Sequence, residues 1–378
     1  MLPRLAGVLA TSLLAPTALL AQDGQFVVRI GTDTLAIEQY TRTAGQLRGE
    51  QVLRSPHTVH RIYTATFGAG GTTERFEVVT HNISGAPGPA QTTGSAVFRD
   101  DSAIVQQTRN DSTVTQRVKV GAGALPYTTQ SYALVEEVTR RARAAQRARY
   151  TTSVLPFGSS EPWAVAVERL GLDSMTLTLG PIGPLRLRVD SQGTLLGLTG
   201  AGSTMQVTVE RVQGLDLTAV AQAFAARSLG PLSPSDSVTA RVAGGTVTVR
   251  YSRPSARGRV VFGSVVPWNQ VWRTGANDAT LLETSVDLVA AGTTVPAGTY
   301  SLWTIPSPAG WTLIINRNTG QWGTDYDAKY DLARLAMHVE TLPQPVERFT
   351  IAIESRGPGG ILALQWARTH AWVSLASQ

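Results

Sequence analysis

Residues 258–305 read GRVVFGSVVPWNQVWRTGANDATLLETSVDLVAAGTTVPAGTYSLWTI. The stretch opens with a β-type run, Val260-Val261-Phe262, turns at Pro267 and reaches the dense segment Trp272-Arg273-Thr274-Gly275-Ala276-Asn277. Two further strand-like runs follow, separated by Ala291-Gly292 and Pro296-Ala297-Gly298. Short β-branched and aromatic runs punctuated by Gly, Pro and Asn are the pattern of antiparallel strands joined by tight turns.

Outward from this stretch the pattern holds. Val238 to Val242, Thr246 to Tyr251, Trp311 to Asn316, Ala333 to Val339, Glu347 to Glu354 and Ile361 to Ala367 alternate with period two. Residues 237–378 therefore predict an antiparallel β-sandwich. Upstream, LGPLSPSD at 229–236 has two prolines and a glycine between a helix-like segment and a new strand series, and marks a linker. Composition changes there: of eight tryptophans only Trp163 precedes it, so the two sides have different cores.

Residues 22–228 are also β-rich. Strands are expected at Phe26 to Ile30, Leu47 to Leu53, Val59 to Phe67, Arg75 to Val79, in hairpins between Ala96 and Val120, and in short runs from Trp163 to Val212. Helices are expected at Tyr132 to Tyr150 and Leu217 to Arg227. The sum is mostly β: an antiparallel, half-barrel-like meander with a few helices, followed by the sandwich. Its outline is reminiscent of the half-open barrels of periplasmic lipid and lipoprotein carriers, a likeness of fold that implies no function. The arginines between Arg140 and Arg149 are read as a solvated helix face.

The first 21 residues predict an export signal: one charge at Arg4, an apolar run from Leu5 to Leu20, then polar Gln22-Asp23-Gly24. That run is shorter than a spanning helix of ~20 residues and is broken by Pro16, so no stable transmembrane segment is expected after cleavage. The protein is expected in the periplasm or secreted. It has no cysteine, which excludes disulfides, thiolate metal sites and thiol nucleophiles. The net charge is +6, yet only Lys119 and Lys329 are lysines and the arginines are scattered along strands, so no nucleic-acid stripe is present.

One set of motifs carries a resemblance. Tyr251-Ser252-Arg253-Pro254, Gly258-Arg259, Phe262-Gly263, Val271 to Asn277, Pro296 to Leu302 and Gln321-Trp322-Gly323 occur in this order. Residues from about Asp236 to Val373 resemble the bacterial family known as domain of unknown function 2911. The resemblance implies an exported β-sandwich-like domain and no established activity. The run after Tyr326-Asp327-Ala328-Lys329 is less lysine-rich than the family pattern, which bears on local loop chemistry alone.

No catalytic constellation stands out. His57 and His60 would point to opposite faces of a strand, so no metal site is expected from them. Gly263-Ser264 and Gly202-Ser203 lack the second glycine of a nucleophile elbow, and no phosphate or dinucleotide loop is present, so no cofactor is implied. The segment from Trp272 to Asn277 offers most. Arg273 is a planar five-donor cation, Trp272 an aromatic platform, and Asn277 an amide beside a sharp turn at Gly275. The same residues also make a structural corner, with Trp272 buried and Arg273 bonded to loop carbonyls.

Trp272, Arg273, Thr274, Asn277, Trp303 and Trp322 are the candidate ligand-binding residues of a non-catalytic module for a small apolar, glycan or envelope ligand. Two alternatives stay open. One is a hydrolase in which Arg273, Asn277, Asp278 and His338 converge. The other is a structural envelope protein that binds a partner along an exposed β edge.

Overall fold

A computed structural model describes residues 21–377 apart from 88, 111, 201–204 and 358. The expected export signal lies outside these residues, except for Ala21. No helix among the described residues is long and apolar enough to cross a membrane.

Fifteen strands form the first sheet: β1 (Gln22–Ile30), β2 (Asp33–Arg42), β3 (Gln46–Leu53), β4 (Val59–Phe67), β5 (Thr73–Asn82), β6 (Gln91–Arg99), β7 (Ser102–Arg109), β8 (Ser112–Lys119), β9 (Leu125–Tyr127), β10 (Arg149–Pro156), β11 (Trp163–Arg169), β12 (Ser174–Leu179), β13 (Pro184–Val189), β14 (Leu195–Thr199) and β15 (Val207–Val212). Their order is β8 through β1, then β15 down to β9, a meander whose two arms meet where β1 pairs with β15. The pairing is antiparallel except between β9 and β10, which run parallel around helix α1 (Tyr132–Ala144).

A row of residues in register across β1–β4 alternates Gly24, Tyr40, Gly49, Tyr63. A Cβ on Gly24 would lie 2.4 Å from Tyr40 Cε1, and one on Gly49 would lie 2.2 Å from the Tyr63 hydroxyl. The tyrosine rings thus lie over glycines, and their hydroxyls reach inward to α1. That helix is buried over most of its circumference, from Tyr132 through Thr139 and at Ala142. It is tied down by polar contacts. Tyr40 donates to Glu136 at 2.6 Å, and Arg140 and Arg211 bond the same carboxylate. Arg42 and Arg141 hold Glu137 at 3.0 and 3.1 Å. Glu38 accepts from Tyr63 at 2.6 Å and from the Tyr132 and Ala133 N–H groups at 2.6 and 2.9 Å, in the first turn where the helix end attracts an anion. Burial pushes the Glu38 carboxyl up to about 7 despite these donors.

Two expectations change here. The helix stops at Ala144, because Gln146 takes a left-handed φ of 52°; the β-branched run after it becomes β10, which periodicity upstream had masked. The arginines are not a solvated face at its start, since Arg140 and Arg141 bond buried carboxylates and Arg143 caps the Leu172 carbonyl at 2.7 Å; Arg147 and Arg149 alone stay exposed. The half-barrel interior is a packed core threaded by a helix. On the outer face, helix α2 (Leu217–Ala225) sets Leu217 against Val27, Ile37 and Val52.

The second sheet has nine strands: β16 (Ser235–Val242), β17 (Gly245–Ser252), β18 (Thr280–Thr284), β19 (Leu288–Ala290), β20 (Thr293–Val295), β21 (Gly298–Ile305), β22 (Trp311–Asn316), β23 (Asp331–Arg356) and β24 (Gly359–Ala376). Their order is β16-β17-β18-β21-β22-β23-β24-β19-β20. β23 is the corner. Its first part pairs with β22 up to Met337, and from His338 onward it pairs with β24, with register shifts around Val346. A strand that passes from one layer to the other at bulges closes a sandwich. β16 lies back against β23 and β24, with Ser355 donating to the Arg241 carbonyl at 2.8 Å.

The expected strand at Val260-Val261-Phe262 is absent. Positive φ at Arg257, Gly258 and Gly263, with Pro267 beyond, breaks the extended backbone into turns. Val261 still buries and Phe262 packs edge-on to Trp311 with centroids 4.7 Å apart, while Val260 is exposed. The last hairpin is longer than the periodicity suggests, since its strands run on through Pro343 and Pro345 and past Ala367 to Ala376.

Candidate functional site

The segment from Trp272 to Asn277 is a corner held from three sides. The Trp272 backbone exchanges both hydrogen bonds with Thr304 of β21 at 2.8 Å, and its indole N–H donates to the Gly275 carbonyl at 3.1 Å. Thr274 has a left-handed φ of 53°, its hydroxyl bonds Thr304 Oγ1 at 3.2 Å, and its carbonyl accepts from Thr280 at 2.8 Å. Asn277, also left-handed, donates to Ser252 Oγ at 3.3 Å.

The Gln321-Trp322-Gly323 motif clasps this corner. Gly323 N–H donates to the Asn277 carbonyl at 3.0 Å, and Ala279 N–H donates to the Gln321 carbonyl at 3.2 Å. A Cβ at Gly323 would fall 2.0 Å from Arg273 Cδ and 2.4 Å from the Asn277 carbonyl oxygen, so only glycine fits beside this arginine. Burial pushes the Arg273 guanidinium below its usual value.

This corner forms one wall of a cleft of about 700 Å³. Trp272, Arg273, Asn277 and Trp322 line it, as do Trp366, Val265 and Val266. The opposite wall comes from the first sheet and its turns: Ile30, Ile182 and Met205. The β1–β2 turn docks beside it. Thr32 N–H donates to the Arg257 carbonyl at 3.0 Å, and the Asp33 carboxylate pairs with the Arg257 guanidinium. The floor is aromatic. Trp272 stacks on Trp366 at 5.8 Å and meets Phe349 edge-on at 5.1 Å. Trp272 is 7% exposed, while Trp322 at the rim is 50% exposed.

Four of the six sequence-derived candidates thus share one cleft. Two do not line it. Thr274 is fully buried as a bracket for the corner, and Trp303 is 1% exposed, its indole N–H on Ser301 Oγ at 2.9 Å and its ring against Tyr326. Trp303 is a core residue of β21. The hydrolase set is not assembled there either: Asp278 lines a separate depression with Tyr251 and Arg250, and His338 stands on β23 stacked on Trp372 at 4.2 Å. His60 bonds Glu50 at 2.6 Å on β3–β4, and His57 precedes that strand. The edge strand β8 carries Arg117 and Lys119, charges that discourage edge pairing.

Arg257, Arg259 and Trp366 also line the cleft and were not among the candidates. The Arg257-Gly258-Arg259 triplet was visible in the sequence. Nothing local says that it meets Trp272, because the contact joins segments through the fold.

Residues 233–375 match the model of a family described as a protein of unknown function, DUF2911; residues before 233 match no family model. No curated protein matches the chain. Among solved structures, the chain is similar to a β-barrel-like protein of domain of unknown function DUF1849 from Brucella abortus, at 13% identity over 51% of this chain and 95% of that one, with a TM-score of 0.35. It is also similar to a DUF1089 family protein from Pseudomonas aeruginosa, at 14% identity over 51% of this chain and 95% of that one, with a TM-score of 0.31. Scores this low carry no argument about activity.

Proposed function

With the C-terminal part in a family of unknown function, we propose that this is an exported, non-catalytic binding protein. In this reading, residues 22–228 and 237–378 are two units joined by a linker at 229–236, and the cleft between their sheets takes a small ligand of the cell envelope. The observation that carries it is the cleft itself. Its volume lies in the range of about 300–1,000 Å³ typical of small-molecule sites, and its walls combine an aromatic floor with a few polar groups. A depression of similar volume, about 760 Å³, lies at Asp278 but has no tryptophan among its described lining residues, and the half-barrel interior is occupied by α1 and its ion pairs, which favours the cleft as the site.

Native mass spectrometry of the chain from an export-competent host tests this. A reproducible co-purified mass that is lost on Trp322→Ala, with the far-ultraviolet spectrum unchanged, is the expected result. A ligand-free mass that incubation with an envelope extract leaves unshifted would refute the binding role.

A further inference from the structure

The cleft has a charge asymmetry that identifies the class of its ligand. Arg257, Arg259 and Arg273 line it, and no Asp or Glu is among its described lining residues. Arg259 donates to the carbonyls of Met205 at 2.7 Å, Ser255 at 2.7 Å and Ala256 at 3.0 Å, which position its fork. Burial and the neighbouring Arg257 push the Arg259 guanidinium below its usual value, against the pull of Glu347, which accepts from the Arg257 N–H at 2.8 Å.

Arg257 is the group best placed to meet a ligand. Its side chain is 11% exposed, lines the cleft, and puts Nη1 on Asp33. A guanidinium has five N–H donors in a rigid fork, so this pairing leaves capacity for a second oxyanion. Asp33, at the start of β2, is thus an internal carboxylate resting on the cation of the cleft. Around these charges the surface is apolar, with Trp272, Trp366, Val265 and Leu232. A positive group set in low-polarity walls attracts an anion more strongly than one in open water.

We propose that the ligand is an amphipathic anion, whose apolar or aromatic body lies along the tryptophan wall and whose single carboxylate, sulfonate or phosphate meets Arg257. This rests on the cleft being the ligand site.

Two probes with the same ring system separate the claims: anilinonaphthalene sulfonate, which is an anion, and uncharged phenylnaphthylamine. Each is titrated into the full chain and followed by quenching of tryptophan fluorescence. The anion is expected to bind at one saturable site at least about tenfold more tightly than the neutral probe, the worth of one hydrogen bond to a charged group. Asp33→Asn frees the Arg257 fork and should tighten the anion by about tenfold while leaving the neutral probe within about twofold. Partial unfolding exposes apolar surface that takes up both probes, so a gain confined to the anion does not arise from misfolding. Arg257→Gln should weaken the anion alone, and Arg257→Lys should fall between the two. Equal binding of both probes, indifferent to Asp33→Asn, overturns the anion assignment and leaves the cleft reading standing. Absence of saturable binding by either probe overturns both.

Discussion

Replacing Glu136 by Gln should be among the most damaging conservative changes in the chain. The carboxylate is buried inside the half-barrel, and every donor around it points at an oxygen. Oε1 accepts from Tyr40 at 2.6 Å and from Arg140 Nε and Nη2 at 3.0 and 2.9 Å; Oε2 accepts from Leu195 N–H at 2.9 Å and from Arg211. A glutamine keeps the shape but turns an NH2 toward one of these groups of donors and removes the charge facing two arginines. Breaking a buried pair by removing one partner costs about 3–5 kcal/mol. Against a typical total of about 5–15 kcal/mol this is a large fraction, and for a body of this size it lowers Tm by roughly 6–20 °C. Urea and thermal unfolding followed by circular dichroism measure it. Glu210→Gln is the control, since its pair with Arg29 is exposed on both sides and should cost under about 1 kcal/mol. Adding Arg211→Met to Glu136→Gln should cost less than Arg211→Met alone, because the charge it removes has already lost its partner. A loss at Glu136 no larger than at Glu210 would refute the account of the interior as a network of mutually satisfied buried charges.

Glu38 gives a pH signature. Burial holds its carboxyl at about 7, against 4.5 for the free side chain, so the folded chain binds the extra proton between those values. Its contribution is full below about pH 4.5 and is lost as pH rises through 7, by about 3 kcal/mol; Glu38→Gln should lack this slope, and parallel stability profiles for the two proteins would count against it. Gly31→Ala should unseat the β1–β2 turn, since Gly31 has φ 59° and a Cβ there would lie 1.9 Å from the Arg257 carbonyl oxygen. The expected result is faster proteolysis at 229–236 with both cores intact, and an unchanged cleavage rate would contradict it. Trp303→Ala should cost about 3–5 kcal/mol as a core truncation, whereas Trp322→Ala should leave Tm nearly unchanged and weaken ligand binding. Equal losses of stability at both positions would erase the distinction between core and rim.

Strand runs were legible where side chains alternate between a core and solvent. β4 and β17 read directly from their period of two. What failed was context. Val260-Val261-Phe262 has strand composition, yet glycines on both sides break its backbone, and burial comes through turns instead. The arginines of α1 read as a solvated helix face because sequence patterning counts charge as exposure. Here Arg140 and Arg141 bond Glu136 and Glu137 of the same helix, and Tyr40, Arg42 and Arg211 reach the same carboxylates from strands far away in the chain. At the cleft, the sequence put Trp272, Trp303 and Trp322 forward alike. Trp303 points from β21 to the face it shares with Ser301, where Tyr326 covers it, whereas Trp322 follows β22 and reaches the rim.

The residues that mark the family fall into two kinds of work. Trp272, Thr274, Gly275 and Gly323 build the corner: each is buried or too close to a neighbour to carry more atoms, so their identities follow from packing. Arg273 and Trp322 belong to that corner and Arg259 is held by the Ser255 and Ala256 carbonyls, and all three line the cleft. The facing wall, with Ile30, Ile182 and Met205, comes from the part of the chain that matches no family model. A rigid motif wall supplies cations and aromatic surface, both tolerant of many ligand shapes. The shape of the apolar body admitted must then be set largely by the opposite wall. Exchanging Ile30 or Ile182 for a larger or smaller apolar residue should accordingly change which body is accepted while leaving the preference for an anion in place.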